Sequence, residues 1–201
     1  MVGKQERTNM ALQHPQTKPH TIEEFEQFIS LPENADRRFE LIDGEIVENV
    51  PTEEHGVIVS IISGEIYAFL KKNPIGRVAV EARYRNPEDR HNSRIPDVAF
   101  TSAERALPVT RNGAVPQMPD LAVEIKSPDD SVKLLRAKAA YYLANGARMV
   151  WVIFPELRLV EVYQPDADVL LLIDSELRQD TLDGAEVLPG FLLPLQDIFP
   201  A

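Results

Sequence analysis

Asp97, Glu124 and Lys126 are the residues whose types and spacing could do chemistry. Glu124 and Lys126 stand in Asp120-Leu121-Ala122-Val123-Glu124-Ile125-Lys126-Ser127-Pro128, a segment that is otherwise largely apolar. In an extended chain alternate side chains share a face, so Leu121, Val123 and Ile125 point one way and Glu124 with Lys126 the other. One face packs, and the other presents a carboxylate beside an ammonium. Charges near a core are costly unless they are paired, bound to a metal or set along a cleft. An ion pair across a half-exposed strand accounts for the triplet on its own. Asp97 is a second acid in the same predicament, placed among Ile95, Val98, Ala99 and Phe100, where a carboxylate without a partner is expensive.

These side chains must be positioned by strands and helices that the local pattern predicts. Thr21-Ile-Glu-Glu is a capping box and predicts a helix to about Ser30, ended by Leu31-Pro32. Arg38–Ile42 and Glu45–Glu48 flank Asp43-Gly44, the strongest short hairpin signal. Glu40 lies on the first arm, opposite in direction to Phe39 and Leu41. After Pro51-Thr52, the recurrence of His55, Ile58, Ile62, Ile66 and Phe69 predicts a core-facing helix to about Lys72. Glu53 and Glu54 suit the positive end of its dipole. His55 is either a satisfied core histidine or a site residue at the mouth of the fold.

Strands are predicted over Arg77–Arg85 and Arg94–Thr101, with Pro96 marking an edge, a start or a bulge. A loop spans Ser102 to Met118, and Ser127-Pro128-Asp129-Asp130 stops the next strand and caps a helix from about Ser131 to Asn145. That helix carries Lys133, Arg136 and Lys138, and Gly146 closes it. Apolar strands follow over Ala147–Phe154, Leu157–Tyr163 and Val169–Ile173, and the segment from Val187 to Phe199 is apolar enough to dock on the body. The sum is an α/β or α+β fold, a mixed sheet flanked by helices.

The chain has 201 residues, 44% hydrophobic and 26% charged, which fits one domain over residues 21–201 behind a polar tail over residues 1–20. Without cysteine, disulfides and thiolate metal sites are excluded, in keeping with a reducing cytoplasm. The tail lacks the apolar stretch of a signal peptide, and no run is long enough to span a bilayer, so no membrane role is expected. A net charge of −11 argues against holding nucleic acid through a general basic field. Any such surface must be local, and Arg83, Arg85, Arg90, His91 and Arg94 form the densest basic cluster, running into Asp97. It reads equally as a phosphate-contacting loop or as an ordinary solvated hairpin balanced by Glu81, Glu88 and Asp89.

Pro96-Asp97 on one strand and Glu124-Ile125-Lys126 on another, followed by a helix, resemble the PD-(D/E)XK nuclease signature. A fuller likeness runs from Phe39 to Phe199. Phe39–Glu45, Glu54–Gly56, Pro96–Val98, Pro119–Leu121, Val123–Pro128, Lys138 with Tyr142, Asn145-Gly146 and Leu188–Phe191 resemble the Uma-two-type family of restriction endonucleases. The resemblance implies a restriction-endonuclease-like fold, a homodimer, and a phosphodiesterase acting on DNA with magnesium, or manganese in its place. It also implies that Asp97, Glu124 and the backbone carbonyl of Ile125 bind the metal and that Lys126 is the site lysine, with Lys138 as the alternative. Glu40 and His55 match recurrent positions without a fixed role. A non-catalytic binding or assembly module on the same fold is the competing expectation.

Overall fold

Runs of buried residues, rather than clean alternation, mark strands covered on both faces. Such runs occupy the centre of the sheet in a computed structural model that describes residues 18–199. The tail expected over residues 1–20 thus lies, up to residue 17, outside the described residues. Six strands form the main sheet: β3 (Gly76–Val80), β4 (Val98–Ser102), β5 (Leu121–Ile125), β6 (Met149–Phe154), β7 (Leu159–Tyr163) and β8 (Leu170–Ile173), in that spatial order. Neighbours are antiparallel except β5 and β6, which pair in parallel with Leu121 opposite Met149. A parallel pair needs a crossover, and helix α3 (Val132–Ala144) supplies it.

The two faces of the sheet take different partners. Leu121, Val123 and Ile125 pack with Ile58, Ile62 and Ile66 of helix α2 (Glu53–Lys72) and with Leu188, Phe191 and Ile198 from the C-terminal segment. Ala99 and Ala122 face Leu135, Ala139 and Tyr142 of α3. Small residues on both sides of this second interface let helix and sheet approach closely. Glu124, by strand alternation, shares the face covered by α3. The C-terminal docking takes a form not foreseen from the pattern, a short hairpin of β9 (Thr181–Asp183) and β10 (Leu192–Pro194).

Helix α1 (Ile22–Ile29) begins with the expected capping box, Thr21 Oγ1 accepting from Glu24 N and Glu24 reaching back to Thr21 N at 2.8 Å. Its Ile22 and Phe25 cover Phe39 and Leu41 of the hairpin β1 (Phe39–Ile42) and β2 (Glu45–Glu48). Asp43 and Gly44 both have positive φ, +50° and +82°, as the tight two-residue link demands. A Cβ on Gly44 would meet Pro19 Cβ at 2.4 Å, so close approach adds to the conformational reason for glycine there.

Two predicted strands are cut short. The strand expected over Arg77–Arg85 ends at Val80, because Glu81 turns into the left-handed region at φ +51°. The strand expected from Arg94 begins at Val98, since Pro96 has no N–H to give and the Ile95 N–H leaves the sheet for Glu40 Oε1. Asp97 is therefore delivered at the mouth of β4, its own N–H bonded to the Val123 carbonyl at 2.9 Å. Among the described residues no helix is long and apolar enough to cross a membrane.

Candidate active site

A pocket opens between the β1–β2 hairpin, the first turn of α2, the adjacent ends of β4 and β5, and the start of α3. Glu40, His55, Asp97, Glu124, Ile125 and Lys138 line it. Thr52 caps α2 by accepting from His55 N, which sets the imidazole at the pocket rim with Nε2 3.1 Å from Asp97 Oδ2. The same oxygen accepts the Ile125 N–H at 2.7 Å. One aspartate oxygen thus ties β4 to β5 and to α2. Asp97 Oδ1 has no hydrogen-bond donor among the described residues.

Glu124 is almost wholly buried, and both its oxygens are taken from α3: Lys138 Nζ lies 2.6 Å from Oε2, and Tyr142 Oη donates to Oε1 at 2.7 Å. Lys138 and Tyr142 are four residues apart, one above the other on one helix face. The ammonium also reaches Glu40 Oε2 at 2.9 Å. Glu40 is anchored independently, accepting from Asn49 Nδ2 at 2.9 Å and from Ile95 N at 2.7 Å. Lys138 therefore clasps the hairpin to the sheet through two buried carboxylates.

The charges do not balance locally, and the protonation equilibria show it. Burial pushes the Glu124 carboxyl up to about 8; Lys138 opposes this, while Asp97 and Glu40 add to it. Glu40, although buried, is held below the ordinary carboxylate range, by Lys138 first and then by Asn49 and Ile95. Burial alone would lower Lys138, and the surrounding Glu124, Glu40 and Asp97 instead raise it above the usual lysine value. For His55, burial is likewise outweighed by Asp97, so its pKa rises. The pocket concentrates negative charge beyond what its own cations offset.

A family model described as "Putative restriction endonuclease", Uma2, matches residues 23–196. The chain belongs to the Uma2 family. Among solved structures, a protein from Anabaena variabilis described as "a putative nuclease belonging to DUF820" is similar at 26% identity, with a TM-score of 0.74. The likeness covers 90% of this chain and 98% of that one. No curated protein matches. The mixed sheet with flanking helices, expected from the sequence, is the fold this chain shares with its neighbour.

Uma2 membership makes a divalent cation the group to test against these residues. Magnesium prefers oxygen donors in small number and keeps several waters. Asp97 Oδ1 lacks a donor, Glu124 Oε2 is held only by an ammonium, and the Ile125 carbonyl shares the strand edge of the N–H that binds Asp97. No three His, Cys, Asp or Glu side chains among the described residues converge as a ready ligand group. The expected set needs only two such side chains and a carbonyl. An oxygen-only donor set in a pocket with surplus negative charge fits a hard cation.

Several sequence-predicted residues lie elsewhere. The structure does not bring Lys126 to Glu124: its Nζ folds back to the carbonyls of Ser127 and Pro128, at 2.9 and 3.2 Å, and it borders a separate groove with Arg136 and Glu161. Lys138 stands at Glu124 instead. The basic cluster is dispersed and lies outside the pocket: Arg83 pairs with Glu26 and Arg90 with Glu23, each at 3.0 Å. Arg94 is buried over the Tyr141 ring, with Nη2 on Asn92. Arg85 has no side-chain partner among the described residues. Sequence reasoning passed over Tyr142 and Asn49 as donors; the four-residue interval from Lys138 to Tyr142 was the available signal for the first.

Proposed function

We propose that this chain is a metal-dependent endonuclease that hydrolyses DNA phosphodiester bonds in the pocket at the ends of β4 and β5. The observation that supports this most is the meeting of Asp97 and Glu124, from adjacent strands, with a lysine from the following helix, in a chain of a restriction-endonuclease family. Asp97, Glu124 and the Ile125 carbonyl would hold magnesium, or manganese in its place, which when bound supplies a water of lowered pKa and neutralises charge on the phosphate.

The chain's own groups do the rest. His55 and the Ile125 N–H fix Asp97 through Oδ2 and leave Oδ1 available. Glu40 holds Lys138 beside Glu124, so the ammonium is in place to stabilise negative charge developing on the phosphate oxygens. Lys138, rather than Lys126, takes the role of the site lysine in this proposal. Arg85 remains the member of the basic cluster available for backbone phosphates, with Arg83, Arg90 and Arg94 engaged within the fold.

The competing reading, a binding or assembly module without catalysis, draws on that same engagement of the arginines. The two separate by assay. Supercoiled DNA incubated with magnesium or manganese is expected to be cleaved by the native chain. Asp97→Asn and Glu124→Gln should each lower the rate by about a hundredfold or more, since each removes several kcal/mol of transition-state stabilisation. Circular dichroism checks that both remain folded. Undiminished cleavage in both variants overturns the site; no metal binding and no cleavage of varied DNA and RNA supports the module. Sedimentation tests the homodimer that the family resemblance implies.

A further inference from the structure

We propose that Tyr142 is a positioning residue for Glu124, fixing its inner carboxylate oxygen so that the outer one serves the cation; this rests on the metal-dependent reading above. The two oxygens of Glu124 are held by partners of opposite character. Oε1 accepts from the Tyr142 hydroxyl at 2.7 Å, and Tyr142 is fully buried. Its ring is packed with Ala122, Ala139 and Val150 between helix and sheet, so it has no room to leave. Oε2 is held at 2.6 Å by Lys138, whose ammonium is at the pocket side and already shared with Glu40. A flexible ammonium with a second carboxylate to retreat to can yield its place to an incoming cation. A buried phenol cannot.

The chemistry of the phenol suits the task. The phenol offers one O–H donor on a ring that is fully buried, and that donor is spent on Glu124 Oε1. A carboxylate held by one oxygen loses its freedom to rotate about its last torsion, and the other oxygen is then presented in a fixed direction. Tyr141, the next residue, makes a useful contrast: its hydroxyl goes to Asp89 Oδ2 at 3.1 Å and not to Glu124.

Manganese binding, measured by calorimetry on the full chain well below its melting temperature, tests the assignment. Y142F should weaken affinity by about tenfold or more, the range for losing a hydrogen bond behind a metal ligand. Y141F should bind manganese as the native chain does. K138M, which frees Oε2 without touching Oε1, should bind at least as tightly as the native chain. Native affinity in Y142F overturns the proposal, and so does a loss in K138M that equals the loss in Y142F. Should Y142F fail to fold, K138M decides alone: a loss of about tenfold or more there assigns the positioning of Glu124 to Lys138 and overturns the proposal. Absence of manganese binding in the native chain overturns the metal-dependent reading itself and this inference with it, an outcome distinguishable because every variant is then silent.

Discussion

Asp120→Asn perturbs the joint that keeps β4 and β5 in register, and with them Asp97 and Glu124. The carboxylate is completely buried: Oδ2 accepts the Ser102 N–H at 2.8 Å, and Oδ1 accepts from Arg105 Nη1 at 2.8 Å with Arg148 Nη1 at 3.6 Å. An asparagine can accept with one atom only, so its NH2 must face one of these donors. Arg105 and Arg148 are 32% and 44% exposed and can turn to water, which discounts their share. The Ser102 N–H has no such escape. Losing a hydrogen bond to a charged acceptor costs about 1.5–3 kcal/mol, and we take about 2 kcal/mol for this site.

The same site fixes a pH dependence. Burial would raise the Asp120 pKa, but the Ser102 N–H and Arg105 overcome it and hold the carboxyl below its ordinary value. A depressed folded-state pKa contributes stability above the unfolded value, about 3.9, and that contribution is lost as pH falls through the folded value. The gap between native and variant chains should thus be about 2 kcal/mol at pH 7 and shrink below about pH 4. With a urea slope of about 2 kcal/mol per molar, the midpoint at pH 7 should fall by about 1 M. A shift under about 0.3 M at neutral pH, or a gap that persists undiminished in acid, refutes the reasoning.

Other substitutions probe the clasp and the sheet edge. Lys138→Met leaves the buried Glu40 carboxylate without its cation and removes a donor from Glu124, and should cost about 3–5 kcal/mol by urea denaturation at pH 7; a loss below about 1 kcal/mol would show that the clasp contributes little. Gly76→Ala places a Cβ 2.4 Å from the Thr101 carbonyl oxygen and 2.5 Å from the Phe100 ring. Both neighbours belong to β4, so the β3–β4 pairing must shift, and a destabilisation of about 1–3 kcal/mol is expected; an unchanged melting temperature would contradict the tight register.

Much of the architecture was legible because its signals are local. Thr21 and Glu24 cap α1, Asp43-Gly44 turns the first hairpin, and the isoleucine spacing of α2 buries one stripe, all as the residue pattern requires. Pro96 announced an interruption, and β4 indeed begins only after it. The left-handed turn at Glu81 carried no such mark, since neither glycine nor asparagine occupies it, and the strand was read five residues too long. The β9–β10 hairpin was hidden for a different reason: its strands are three residues each, too short for alternation to register.

For the site, the sequence by itself placed one acid on each of two strands, Asp97 and Glu124, with a helix next in line, and the family resemblance implied that the two acids share a site. Strand alternation then pointed to Lys126 as the neighbour of Glu124, and the tertiary structure decided otherwise. The strand ends at Ile125, and the chain enters a turn whose carbonyls draw the Lys126 ammonium back. Lys138 arrives from α3, because a helix packed on small residues brings a long side chain within reach of the sheet. The fate of the arginines was likewise tertiary. Charges cluster in sequence without regard to what folds against them, and only the packing of α1 on this loop set Glu23 and Glu26 before Arg90 and Arg83. Periodicity and caps act within a few residues, whereas the choice among candidate cations depends on which elements meet.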